Sequence, residues 1–123
     1  VYRFTRHRGG VTGVAVTPIP LQHGAWPCLG WRIGDVAWLT DVSDIPESSL
    51  PLLAGLDTLF LDCLRPEPYP SHLHLAASLE WAQRLAARQT FLIHMTHQLE
   101  YRSLSAQCPP GVAVAYDGLQ LTF

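Results

Sequence analysis

Four apolar, strand-like segments of this sequence each end at a side chain that can bind a metal ion or transfer a proton. They are residues 18–22 before His23, 36–40 before Asp41, 58–61 before Asp62, and 90–93 before His94. In sheets flanked by helices, ligands bind in the crevice beyond the carboxyl ends of the strands. Because a hydrophobic core alone does not require this repeated polar ending, the pattern predicts a functional site at one edge of a sheet.

Taken one at a time, these residues leave the chemistry open. His23 before Gly24 is either a ligand that the backbone approaches closely or a turn histidine. The carboxylate of Asp41 suits hard divalent cations and can bridge two of them, but the local sequence favours a helix cap for the segment that starts at Ser43. His94 and His97 could present two imidazoles to a metal, although this spacing alone favours a packed or surface pair.

Two further residues have possible roles beside such a site. His72, just before a predicted helix, could donate a proton to a leaving group or could simply occupy the first helical turn. Asp62 ends a buried strand, and a buried carboxylate is costly unless it is hydrogen-bonded or paired. We therefore expect Asp62 to support other groups rather than to bind a metal directly.

Period-two segments and turn residues predict the strands. Residues 11–19 are predicted to form a strand that leaves the sheet near Pro18 and Pro20, because proline within a sheet is largely confined to edge strands. Residues 29–33 and 36–40 flank Gly34-Asp35, a tight-hairpin signal, and residues 58–63 have the apolar run of a strand buried on both faces. Residues 112–116 and 119–123 flank Asp117-Gly118 and predict a final hairpin.

Helical spacing is clearest at residues 75–86, where the apolar positions recur along one face. This helix connects the strand at 58–63 to the strand at 90–93, so these two strands should be parallel, with a right-handed crossover. A short helix or helical turn is predicted within 43–55, an irregular proline-rich loop at 65–70, and one or two helical turns at 98–105.

The composition is that of a soluble globular domain. The 123 residues carry a formal charge of −2 and are 48% apolar, which argues against disorder. No segment approaches the ~20 apolar residues of a membrane span, and no signal peptide is apparent, so we expect a cytoplasmic protein. Three cysteines without a C-x-x-C pair predict reduced thiols.

The amino end carries two further expectations. Arg3, Arg6 and Arg8 form a cluster that could bind a small anion, although a solvated lead-in segment is the favoured interpretation. The chain starts at Val1 and its one methionine is Met95, so we expect a fragment or a processed chain.

Taken in order, these segments resemble the carboxyl-terminal half of the metallo-β-lactamase fold hydrolases. The resemblance rests on residues 20–24, 29–33, 38–41, 61–62, 70–72, 93–95 and 116–118. It is strongest to the branch that contains the phosphoribosyl 1,2-cyclic phosphate phosphodiesterase, with tRNA 3′-processing endonucleases as more distant relatives. The implied fold class is α/β: residues 1–123 would form a single partial domain, half of an αββα sandwich with a mixed sheet and flanking helices.

The resemblance also implies roles for individual residues. His23 would complete the ligand set of one metal ion, Asp41 would bridge two ions, and His94 would complete the second. His72 corresponds to a general acid or transition-state stabiliser, and His97 to a neighbour outside the ligand set. The implied cofactors are two divalent ions, zinc or manganese, that activate a hydroxide for attack on a phosphodiester.

One departure limits what this chain is expected to do alone. The family signature His-x-His-x-Asp-His does not occur in the sequence. The isolated chain is therefore expected to bind metal poorly and to be inactive, and one face of its sheet is expected to be exposed.

The expected activity of the intact parent is hydrolysis of a small, cyclic phosphodiester. The slightly negative net charge favours such a substrate over nucleic acid, and a homodimer is compatible with the sequence. The alternatives are a tRNA 3′-processing endonuclease, or a non-catalytic remnant or interaction module that keeps the fold without the metal cluster.

Overall fold

The computed structural model describes residues 2–4 and 13–123, and among them seven strands form one mixed sheet. The strands are β1 (Tyr2–Phe4), β2 (Val14–His23), β3 (Trp26–Ile33), β4 (Val36–Leu39), β5 (Thr58–Asp62), β6 (Gln89–Ile93) and β7 (Val112–Val114). Their order in the sheet follows the chain. A 3₁₀ helix (Glu47–Leu53) and two α-helices, α1 (Leu75–Leu85) and α2 (Tyr101–Gln107), complete the fold. The α/β class with a mixed sheet is therefore confirmed.

The pairing directions bring the polar strand ends to one edge. β2, β3 and β4 are successively antiparallel, so β2 and β4 run in the same direction. β5, β6 and β7 then continue parallel to β4, with α1 as the crossover between β5 and β6. The carboxyl ends of β2, β4, β5 and β6 thus lie at the same edge of the sheet. This is the edge where the sequence predicts a site.

β2 does not leave the sheet at its prolines, which corrects the prediction for residues 11–19. It stays paired with β3 as far as His23, opposite Trp26. The Gln22 amide donates to Asp44 O at 3.0 Å, and the carbonyl of Pro20 accepts from Ser49 Oγ at 2.6 Å. Because alternate residues of a strand direct their backbone groups to the same side, the prolines face away from β3 and remove no bond from that ladder.

One face of the sheet is covered by the helices and forms the core. Its apolar side chains alternate along β2, β4 and β5, as expected for a half-covered sheet. The largest cluster of buried residues comprises Ile19, Leu21, Ala37, Leu39, Val42, Ile45, Leu53, Leu56, Leu59, Leu61, Leu73 and Ala82. A second cluster beneath α2 comprises Cys63, Leu92, Leu104 and Val114. This core fixes the strands whose ends carry the polar residues.

The opposite face carries a row of aromatic side chains that runs across four strands. Trp31, Trp38, Phe60 and Phe91 are register partners in turn. The Trp38 and Phe60 ring centroids are 4.5 Å apart, and Trp38 is 45% exposed. Within the described residues no helix covers this row, in agreement with the expectation of an exposed sheet face. An apolar face of this kind marks a surface that packs against something else.

The predicted hairpin at residues 112–123 is wrong in its second half. β7 ends at Val114, and the turn forms as predicted, with the Leu119 amide donating to Tyr116 O at 3.0 Å. Residues 119–123 form no strand. Leu119, Leu121 and Phe123 instead line a cavity of about 270 Å³ on the open face, with Trp38 and Phe60. Contact with that aromatic row competes with strand pairing.

The other predicted elements are confirmed with small shifts of their bounds. The second helix begins at Tyr101 rather than at 98, because the Glu100 carboxylate accepts from the amides of Arg102 and Ser103 and caps it. None of the described helices is long and apolar enough to cross a membrane. The predicted arginine cluster at the amino end lies outside the residues whose side chains the structure describes.

Candidate metal centre

The side chains that follow the strands meet in two overlapping groups. His23, Asp41 and His72 form one group, and Asp62, His72 and His94 form the other. Within each group, the potential ligand atoms all lie within 4.8 Å of one another. His72 belongs to both groups, so the two are contiguous. The three residues predicted to bind metal therefore lie around a common histidine.

His23 is held by the backbone of the loop that precedes α1. Its Nδ1 lies 2.7 Å from the carbonyl oxygen of Ser71. Since a carbonyl only accepts hydrogen bonds, Nδ1 carries the proton and Nε2 keeps its lone pair for a ligand. The close approach depends on Gly24, which has φ +59° and whose added Cβ would lie 3.3 Å from the Ser71 Cβ. The β2–β3 turn thus fixes which nitrogen His23 offers.

Asp41 and His94 are both in the left-handed region, with φ of 54° and 64°. This conformation is uncommon for non-glycine residues, although aspartate and histidine tolerate it better than most. His94 Nε2 lies 3.6 Å from Asp41 Oδ1. That distance is too long for a hydrogen bond but is close to the ~3.4 Å expected between two atoms bound tetrahedrally to one zinc ion.

Asp62 is completely buried and lies behind the histidines. Its Oδ2 accepts from the Val42 amide at 2.9 Å and from His72 Nδ1 at 2.8 Å. Its Oδ1 has no hydrogen-bond partner and lies 3.6 Å from His94 Nδ1. Burial raises the pKa of the Asp62 carboxyl, while the hydrogen bonds from His72 and Val42 act in the opposite direction. A buried carboxylate oxygen without a partner is unusual, and His94 Nδ1, 3.6 Å away, is placed to donate to it after a small shift.

The His72 ring lies between the other two imidazoles. Its centroid is 4.7 Å from that of His23, edge to face, and 4.9 Å from that of His94, nearly parallel. Because Nδ1 donates to Asp62, Nε2 is the nitrogen that remains for a ligand or a substrate. His72 is thus placed by a buried acid and by ring contacts on both sides.

These donors fit divalent metal ions. Imidazole nitrogens and carboxylate oxygens are ligands of zinc and manganese, and hydrogen bonds from the second ring nitrogen to a carbonyl or carboxylate commonly orient such ligands. In His23 and His72, Nδ1 donates to the Ser71 carbonyl and to the Asp62 carboxylate, respectively. The unpaired Asp62 Oδ1 is an available acceptor for Nδ1 of His94.

The sequence alone missed how these side chains are held. It did not predict the Ser71 carbonyl as the partner of His23, because nothing in residues 65–72 specifies where that loop packs. It also did not identify Asp62 as the partner of His72, although it required some partner for that buried acid. His97, expected to lie outside the ligand set, belongs to neither group.

Comparison with known proteins agrees with this geometry. The family described as "Beta-lactamase superfamily domain" matches residues 3–95. The chain belongs to this superfamily. Its fold is therefore of the hydrolase type predicted from the sequence.

Solved structures of the same fold extend the comparison. A diphosphatase from the PhnP family is 40% identical with a TM-score of 0.89, over 97% of this chain and 47% of that one. The metallo-β-lactamase fold protein YhfI from Bacillus subtilis is 19% identical with a TM-score of 0.71, over 96% and 51%. The short form of human tRNase Z is 16% identical with a TM-score of 0.68, over 94% and 44%. The last two establish the fold alone.

A curated relative matches over a shorter share of its own length. An octanoyltransferase from Porphyromonas gingivalis is 30% identical over 112 residues, which cover 89% of this chain but 23% of that protein. This chain thus spans less than a quarter of that relative and about half the length of the solved structures that it matches.

Proposed function

We propose that these residues form part of the active site of a metal-dependent phosphodiesterase that acts on a small, cyclic phosphodiester. The observation that carries the proposal is the position of His72, shared by two ligand groups and hydrogen-bonded to a buried acid. Similarity to a PhnP-family diphosphatase at 40% identity supports phosphoryl chemistry.

In this proposal His23, Asp41 and His94 bind two divalent ions, zinc or manganese. Such ions offset the negative charge that grows on phosphoryl oxygens and make water a stronger nucleophile at neutral pH. The Ser71 carbonyl keeps His23 Nε2 available by accepting from Nδ1, and the unpaired Asp62 Oδ1, 3.6 Å from His94 Nδ1, is placed to do the same for His94. Further ligands would come from outside these 123 residues, because the sequence contains no His-x-His-x-Asp-His motif.

His72 would act on the substrate rather than on the metal. With Nδ1 held by Asp62, a protonated Nε2 can donate its proton to the departing oxygen of the ester. The Asp62 carboxylate stabilises the imidazolium form that this step requires, and it prevents the ring from rotating away.

The test compares three histidine variants of the intact protein. His94→Ala should remove bound metal, measured by elemental analysis, and with it the hydrolysis of cyclic phosphodiesters. His72→Ala should lower kcat by ~100-fold with metal retained, in the range expected for loss of a general acid. His74→Ala is the matched control, because His74 lies two residues from His72 and belongs to neither ligand group.

Two results would refute the proposal. One is equal loss of metal in His72→Ala and His94→Ala, which would remove the distinction between acid and ligand. The other is tight stoichiometric metal in the isolated 123-residue chain, since we propose that this chain holds only part of the site. Binding of RNA with a steep salt dependence would instead favour a nuclease.

A further inference from the structure

A single hydroxyl group connects the strand that ends at His23 to the segment that follows Asp41. Ser43 Oγ accepts from the Gly24 amide at 2.9 Å and donates to the Gln22 carbonyl oxygen at 3.2 Å. These two partners are the residues that flank His23. Because Ser43 lies two residues after Asp41, its side chain links the positions of two of the proposed metal ligands.

The backbone fixes the Ser43 hydroxyl in this place. The Ser43 amide donates to Gln22 O at 2.7 Å, and the Gln22 amide donates to Asp44 O at 3.0 Å. This short antiparallel bridge brings the chain after β4 alongside the end of β2. Since a hydroxyl group both donates and accepts, Ser43 can bond to a carbonyl and to an amide at once.

The bond from the Gly24 amide orients the turn at which His23 ends β2. Gly24 has φ +59° and is half-buried, and Ser43 Oγ is the acceptor for its amide. Without that acceptor the amide would be unsatisfied, which favours movement of the turn toward water. Such a movement would carry His23 Nδ1 away from the Ser71 carbonyl oxygen, which now lies 2.7 Å from it.

Ser49 makes a similar bond to β2 that does not reach the site. Its Oγ donates to Pro20 O at 2.6 Å, and its side chain is fully buried. Pro20 lies three residues before His23, and Ser49 lies eight residues after Asp41. This bond therefore attaches the 3₁₀ helix to β2 without holding either residue that flanks the histidine.

We propose that Ser43 is a positioning residue that fixes His23 relative to Asp41 and thereby sets the affinity of the metal ion that His23 binds. The proposal rests on the proposed function, in which His23 and Asp41 are metal ligands, and it adds a residue outside both ligand groups. Neither bond of the Ser43 hydroxyl reaches the segment that carries His94. The ion that His94 completes should therefore keep its affinity when the hydroxyl is removed.

The first experiment is a zinc titration of the intact protein, followed by the NMR signals of the His23 and His94 rings. In Ser43→Ala, half-saturation of the His23 signals should need about 10- to 100-fold more zinc, as is typical when a group that orients a metal ligand is removed. The His94 signals should stay within about twofold. Ser43→Thr keeps the hydroxyl and should restore the His23 response, and Ser49→Ala is the matched control that should leave both signals unchanged.

A second measurement needs no metal. Because the Ser71 carbonyl accepts from His23 Nδ1, ring-nitrogen NMR shifts of the metal-free protein in alkaline buffer should show the proton on Nδ1. Ser43→Ala should show a mixture of the two tautomers of His23, whereas Ser49→Ala should keep the single tautomer. If the alanine variant at position 43 does not fold, Ser43→Cys replaces it, since a thiol has nearly the same shape but bonds weakly.

Three results of the titration would overturn the positioning role. They are equal weakening of both ions in Ser43→Ala, the same selective loss in Ser49→Ala, and a failure of Ser43→Thr to restore the His23 response. If the unaltered protein binds no zinc, the proposed function fails, and the tautomer measurement alone then decides the role of Ser43. A His23 tautomer that does not change in Ser43→Ala would overturn that role independently of metal binding.

Discussion

Asp62→Asn tests whether one buried carboxylate orients two histidines. The amide is nearly isosteric, and its oxygen can replace Oδ2, so the bonds from the Val42 amide and His72 Nδ1 can both persist. The amide nitrogen then takes the place of Oδ1, 3.6 Å from His94 Nδ1. Because the new amide nitrogen is a donor, it favours the tautomer in which His94 Nδ1 has a free lone pair. The His94 proton then lies on Nε2, the nitrogen 3.6 Å from Asp41 Oδ1.

The expected loss is therefore in metal binding more than in stability. Changes to groups that orient metal-binding histidines typically cost 10- to 100-fold in metal affinity. Asp62→Asn exchanges a charge-assisted bond for a neutral one, so its free energy of unfolding should fall by only about 1 kcal/mol. Asp62→Ala leaves both the Val42 amide and His72 Nδ1 unsatisfied, at ~1–3 kcal/mol each, so its free energy of unfolding should fall by about 2–6 kcal/mol.

The assays are calorimetric zinc titration of the intact protein and urea denaturation without metal. Asp57→Asn is the matched control, since Asp57 immediately precedes β5, is partly exposed and pairs with Arg88 rather than with a histidine. Zinc affinity within twofold of the unaltered protein in Asp62→Asn would refute the reasoning. So would an equal loss of affinity in the Asp57→Asn control.

Three further predictions concern the scaffold. Gly30→Ala should lower the free energy of unfolding by about 1–3 kcal/mol, because the new Cβ would lie 2.5 Å from Leu39 Cδ2 and 2.9 Å from Leu21 Cδ1. The control in urea denaturation is Gly34→Ala, whose Cβ meets open space although Gly34 has φ +57°. A loss for Gly30→Ala no larger than that of the control would contradict the prediction. Cys63 should react with iodoacetamide more slowly than Cys28 or Cys108 in peptide mapping, because it is fully buried and burial raises its pKa to about 11; equal rates for the three thiols would count against it. The amides of Arg102 and Ser103 lower the pKa of Glu100, so the cap stabilises the fold above the ordinary glutamate pKa and is lost as pH falls through the lowered value. The free energy of unfolding of the unaltered protein should therefore exceed that of Glu100→Gln at neutral pH, and this difference should become smaller in acid. A difference in the free energy of unfolding that does not change with pH would argue against the cap.

The sequence predicted those elements whose signals are local. Gly34-Asp35 marks the β3–β4 hairpin, and the helical spacing of residues 75–86 marks α1. The final hairpin failed because Asp117-Gly118 specifies only a turn, whereas strand pairing of residues 119–123 depends on a competing aromatic surface contributed by β4 and β5. That competition involves residues about 60 to 80 positions away, which no local pattern reports.

The metal-binding residues could be predicted only in combination. Locally, Asp41 favoured a helix cap, and His72 was compatible with either a proton donor or a residue of the first helical turn. Neither the cap nor the first turn describes their contacts. Asp41 caps no helix, since the 3₁₀ helix begins at Glu47 without a side-chain cap. That the 123 residues form one partial domain stays a prediction, as does the compatibility of the sequence with a homodimer.

The left-handed backbone of Asp41 and His94 explains why the polar residues at the strand ends converge on one site instead of pointing away from one another. A strand that continued straight past Leu39 or Ile93 would carry Asp41 and His94 away from each other, because successive side chains point to opposite faces. At φ 54° and 64° the chain turns sharply at these two residues, and Asp41 Oδ1 comes to lie 3.6 Å from His94 Nε2. Such a conformation costs about 1–2 kcal/mol per residue and persists only where surrounding structure enforces it. Here the Val42 amide donates to Asp62 at the end of β5, and the Thr96 amide donates to Leu64 O in the segment just after β5. The end of β5 and the residues that follow it therefore hold the chain just after each of the two turns.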